Sequence, residues 1–135
     1  MREQPYEKLK FYQDICEIRS FIFKVTGRFE KIHLRLISQM RDAARSAKQN
    51  IREGYRRGSL GIFINSIRIS QGSLEELSGD MEDCLEDKLI TSEEFVKFDK
   101  LFQSARYMSS QYIKSMSKSA NKGKWNVPGK NLTKM

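Results

Sequence analysis

At 135 residues and 39% hydrophobic content, the chain can bury the core of one domain. Its 31% charged residues fit a folded globular protein and exclude a low-hydrophobicity disordered one, and no apolar run approaches the roughly 20 residues that span a bilayer. The formal charge is +8 and unevenly placed. Residues 28–68 hold ten Lys/Arg against three Asp/Glu, residues 75–87 hold seven acids and no base, and the stretch from Lys118 holds five lysines and no acid. The start, Met1-Arg2-Glu3-Gln4-Pro5, lacks the apolar core of a signal peptide. Cys16 and Cys84 sit among apolar neighbours at helical spacing, too few for a disulfide framework, and read as buried free thiols. The expectation is a cytoplasmic protein.

Pro5 can open a first helix, because its missing donor is not needed there. Leu9, Tyr12, Cys16, Arg19, Ile22 and Phe23 follow a three-four spacing, widened by Ile15, Ile18 and Val25, and Gly27 closes the helix. The second helix is expected over Ile32 to Arg57, ending at Gly54 or Gly58. The third begins after Ser59, a good N-cap, and its stripe runs Phe63, Ile67, Ser70, Leu74, Leu77, Met81, Cys84 and Leu85. Ile62 and Ile69 lie one heptad apart beside that stripe, and either thicken the core or meet another subunit. Thr91 and Glu94 form a capping box for a fourth helix with the seam Phe95, Phe98, Phe102, Ala105, Tyr112 and Met116. Four amphipathic helices joined by short loops predict an all-α, up-down-up-down four-helix bundle over residues 1–118, followed by a flexible basic tail over 119–135.

The second helix carries the most specific pattern. Leu36, Ile37, Met40, Ala43, Ala44, Ala47 and Ile51 fill one arc, and Arg41, Arg45, Lys48, Arg52 and Arg56 fall beside it within roughly 80° at about 100° per residue. Asp42 and Glu53 project elsewhere, so no acid shares the cationic arc. Like charges four residues apart repel by a few tenths of a kcal/mol per pair, which an anionic partner would relieve. Arginine predominates, and its fork suits phosphate. These five residues, with Arg57 as a secondary member, are the expected nucleic-acid contacts. A membrane helix would need bulky apolar residues where this one has alanines. The tail, with Lys122, Lys124, Trp125, Lys130 and Lys134, could add a stacking contact. A second reading has the same cations grip an acidic protein surface, such as the Glu75–Asp87 block of a neighbouring subunit.

Enzyme chemistry finds little support. His33 is the one histidine, so no histidine metal cluster or Ser-His-Asp triad can form within one chain. Gly54, Gly58 and Gly61 lack the strand that precedes a nucleotide loop. Glu75, Glu76, Asp80, Asp83 and Asp87 lack the Glu-x-x-His pairs of a di-metal bundle. No enzyme activity, metal or other cofactor is expected.

The stretch Gln39-Met40-Arg41-Asp42-Ala43-Ala44-Arg45-Ser46, with Asn50-Ile51-Arg52-Glu53-Gly54, resembles the bacterial four-helix bundle proteins encoded in intervening sequences of large-subunit ribosomal RNA genes. The likeness continues through Arg57, Ser59, Phe63 and Gln71-Gly72-Ser73-Leu74-Glu75-Glu76-Leu77. Glu30, Asp42, Arg52, Ile62, Ser66 and Ser70 depart from the pattern, and Arg52 adds a cation. The resemblance implies a homopentameric ring, and the heptad spacing of Ile62 and Ile69 beside the stripe of the third helix makes them the candidate interface residues. A related branch, the accessory variability proteins of diversity-generating retroelements, implies binding to a reverse transcriptase and its template RNA.

Overall fold

The computed structural model describes residues 3–121. Four helices, α1 (Lys10–Thr26), α2 (Leu34–Arg56), α3 (Leu60–Glu86) and α4 (Ser92–Asn121), form the expected bundle. Each packs on its sequence neighbours and α4 closes against α1, while the diagonal pairs stay apart. α4 continues past Lys118, where the apolar pattern fades, and the tail residues Lys122, Lys124, Trp125, Lys130 and Lys134 lie outside the described residues.

Pro5 opens a separate 3₁₀ turn, Pro5–Lys8, rather than α1. Leu9 takes an extended ψ of 131° and breaks the chain direction, because Tyr6 is drawn inward against the rings of Tyr12 and Tyr55, each 5.0 Å away. The core face of α1 is Phe11, Tyr12, Ile15, Ile18, Ile22 and Val25; of the expected face, Tyr12, Ile15, Ile18, Ile22 and Val25 are buried, whereas Leu9, Cys16, Arg19 and Phe23 are only half-buried. Asp14 is a polar member of this face. It is fully buried inside that face, held by the ammonium of Lys10 and by Ser104 Oγ, which donates at 2.6 Å. A buried carboxylate needs such partners, and the sequence alone does not announce them.

α2 starts at Leu34, after a 3₁₀ turn (Lys31–His33) that leaves Ile32 84% exposed. It ends at Arg56, with Arg57 as C-cap, and Gly58 then turns the chain at a φ of 83°, the left-handed conformation that glycine adopts without strain. Gly54 is not an end but a contact inside the helix. A Cβ there would lie 2.1 Å from Ser66 Oγ. The alanines of α2 and the serines of α3 together bring the two backbones close: Ser70 Oγ donates to the Ala47 carbonyl, and Ser73 Oγ lies 3.2 Å from Ser46 Oγ. Ser66 and Ser70, departures from the family pattern, are thus small residues at a tight crossing.

The α3 stripe is buried from Phe63 to Cys84, and Ser59 Oγ accepts from Ile62 N at 3.4 Å as the N-cap. α3 ends through Lys88, at φ 63°, with Leu89 N donating to Cys84 O at 2.8 Å and Lys88 N to Leu85 O at 3.1 Å, the Schellman pattern. Thr91 and Glu94 make the reciprocal capping bonds, at 2.9 and 3.1 Å.

Candidate nucleic-acid interface

α2 has three kinds of surface, set by which helix each meets. Met40, Ala43, Ala44, Ala47, Ile51, Gly54 and Tyr55 are buried. The cationic arc lies on the flank facing α1. Arg41 Nε donates to Thr26 Oγ1 at 2.9 Å and its Nη2 to the Phe23 carbonyl at 3.3 Å. Its guanidinium also lies over the Phe23 ring, 4.8 Å from the centroid, and that of Arg45 lies 5.9 Å away. Arg52 acts on Tyr12 of α1: burial holds the Tyr12 hydroxyl well above the usual tyrosine range, Cys16 and Tyr6 add to this, and Arg52 opposes it.

The ladder residues therefore share one inter-helix groove but differ in availability. Arg41 is half-buried and spends donors on the C-terminal turn of α1. Arg45 and Arg56 are exposed, and Lys48 and Arg52 are half-buried. Among the described residues none of these five takes part in an ion pair. The groove is positive, and no ion pair among the described residues compensates it.

Arg57 leaves this group. It follows α2 as its C-cap, and lies about 140° around the helix from the ladder's centre at 100° per residue. There it lines a cavity of about 480 Å³ between α2 and α3, together with Asn50, Glu53, Asn65, Ile62 and Ile69. Ile62 and Ile69 are 38% and 47% exposed, so they rim this opening instead of thickening the core. The groove and the opening occupy opposite flanks of α2 and can be filled independently.

The sequence reading missed two residues of the groove, Arg19 and Phe23 of α1. The Arg19 guanidinium lies 4.6 Å from the Phe23 ring centroid. The signal was a cation interrupting an otherwise apolar three-four stripe. His33 is half-buried beside the Phe29 ring at 6.3 Å, at the N-cap of α2. Among the described residues no group of three or more His, Cys, Asp or Glu could hold a metal ion. No described helix is long and apolar enough to cross a membrane.

Fold and groove together define an all-α four-helix bundle with one basic, uncompensated flank. A family model described as 23S rRNA-intervening sequence protein matches residues 7–111, more than half of the chain, and the protein belongs to that family. Among curated proteins nothing matches significantly.

Proposed function

We propose that this protein is a non-enzymatic bundle that binds the backbone of nucleic acid, RNA in the first instance, along the groove between α1 and α2. The observation that supports this is the set of four cations, Arg45, Lys48, Arg52 and Arg56, aligned on one flank without an acid to pair them. From Arg41 to Arg56 the helix rises about 22 Å, and one strand of a duplex carries a phosphate about every 3.4 Å, so the groove spans about six phosphates. The family's description adds an association with ribosomal RNA genes. Self-assembly, as a homopentamer through the Ile62 and Ile69 rim, belongs to the same proposal, since half-exposed isoleucines flank a cavity that a neighbour can fill. An accessory role beside a retroelement reverse transcriptase would use the same groove for template RNA.

A second reading rests on the acidic block. Among the described residues its members from Glu75 to Asp87 show one ion pair, Glu75 with Arg106 at 3.6 Å. Apart from Asp80, which is buried and accepts from Gln39, the remaining acids are exposed and open to a neighbour's basic groove, which would make the ladder an assembly device. The double variant Arg45→Glu/Arg52→Glu separates the two. Under the nucleic-acid reading it abolishes RNA binding in fluorescence anisotropy and keeps the wild-type mass in light scattering, five times the 15.8 kDa chain. Under the assembly reading the mass falls. Retention of both mass and RNA affinity would eliminate both.

A further inference from the structure

Three guanidinium groups gather at one aromatic ring. Those of Arg19, Arg41 and Arg45 lie 4.6, 4.8 and 5.9 Å from the Phe23 centroid. All three charges are thus within about one Debye length, ~8 Å at physiological salt, of a single point. Arg41 is occupied, its Nε and Nη2 donating to Thr26 Oγ1 and the Phe23 carbonyl. Arg19 and Arg45 have no ion-pair partner among the described residues, and no described hydrogen bond uses their fork donors. Arg19 comes from α1 and Arg45 from α2, so the two open forks stand on opposite walls of the groove.

A ring face attracts a cation, and Phe23 is half-buried, fixed one turn after Arg19 on its own helix. The ring therefore holds both arginines near one place before any ligand arrives. Such prior ordering lowers the entropy lost when a charged group is gripped, and the guanidinium fork matches two phosphate oxygens.

We infer that Arg19 and Arg45, held over Phe23, form a two-helix clamp for one backbone phosphate of an RNA strand lying in the groove, with Arg41 fixed behind them as a third charge. The clamp rests on the nucleic-acid reading above and adds α1 to it. Arg19 is a binding residue and Phe23 a positioning residue.

The test uses the full chain and a labelled single-stranded RNA oligonucleotide, with anisotropy read across a salt series. Arg68 is exposed on α3, and Arg68→Gln removes the same charge away from the groove. Arg19→Gln weakens binding about fivefold or more, and Arg19→Gln/Arg45→Gln, which strips both forks from the shared phosphate, makes the log–log salt slope shallower by about 0.7, one phosphate contact on a single strand. Arg68→Gln leaves the slope unchanged. Phe23→Leu keeps both cations, so its slope stays at the wild-type value while affinity falls severalfold. Arg19→Lys, which keeps charge and helix, behaves like Phe23→Leu. If Arg19→Gln matches Arg68→Gln, the clamp is wrong and the groove reading stands. If wild-type protein shows no salt-dependent RNA binding, the groove reading fails and the clamp falls with it.

Discussion

Arg41 Nε donates to Thr26 Oγ1 at 2.9 Å, and the same hydroxyl donates to the Ile22 carbonyl at 2.7 Å. The pair ties the first rung of the ladder to the last turn of α1, where carbonyls lack helical partners and the helix dipole favours a cation. One residue of a uniform-looking charge row is thereby structural. Arg41→Gln is expected to destabilise the fold by about 1.5–3 kcal/mol, the range for a lost charge-assisted hydrogen bond. Arg45→Gln, exposed and unpaired, should stay within about 0.5 kcal/mol of wild type. Urea unfolding of the two variants checks the contrast.

At the opposite flank, Gly54 sets how closely α2 approaches α3. An added methyl would meet Ser66 Oγ at 2.1 Å and Ser66 Cβ at 2.4 Å. Gly54→Ala should therefore cost about 1–3 kcal/mol through overpacking, despite the better helix propensity of alanine. Ser66→Ala leaves the Cβ in place and should not rescue it. Ser66→Gly clears both atoms and should recover part of the loss, seen as a higher Tm for the double variant than for Gly54→Ala alone.

Two carboxylates respond to acid with opposite signs. Glu94 is hydrogen-bonded by Arg28, opposed by its burial and aided by Thr91, and its pKa is lowered to about 2. It contributes stability in full above its ordinary value of 4.5, and that contribution is lost as pH falls from there towards 2. Asp80 is raised above its ordinary 3.8, first by burial, with Gln39 opposing and Glu76 and Asp83 adding. Its Oδ2 is buried without a hydrogen-bond partner among the described residues, while Oδ1 accepts from Gln39 Nε2 at 2.9 Å. The ionised form is costly in the fold, so protonation on acidification favours folding. Glu94→Gln should flatten the acid limb of stability between about pH 4.5 and 2. Asp80→Asn should raise Tm at pH 7, with an advantage that shrinks as pH approaches 4. Melting curves of both variants at several pH values test the signs.

Much of the bundle was legible because periodicity and caps are local. The α3 stripe from Phe63 to Cys84 is buried as read, and Ser59, Thr91 and Glu94 cap as expected. The misreadings share a different cause, a partner distant in sequence. Asp14 draws no reading at all from the sequence, because its partner Ser104 lies ninety positions later. Gly54 looks like a helix end until Ser66 lies on it. For the candidate site, the ladder's alignment was readable from α2 alone. What α2 could not reveal was that α1 adds Arg19 and Phe23 or that Thr26 engages Arg41, whereas the turn of Arg57 to the other flank already follows from about 100° per residue.

The central claim is that the α1–α2 groove binds nucleic-acid backbone by charge, and the most direct measurement is the salt dependence of wild-type affinity for single-stranded RNA. Arg19 and Arg45 on one shared phosphate, with Lys48, Arg52 and Arg56 on one each, at about 0.7 per phosphate predict a log–log slope of about −3. Affinity should thus fall by roughly two orders of magnitude between about 50 and 200 mM salt. An affinity unchanged across that range, or no binding at its low end, would contradict the account.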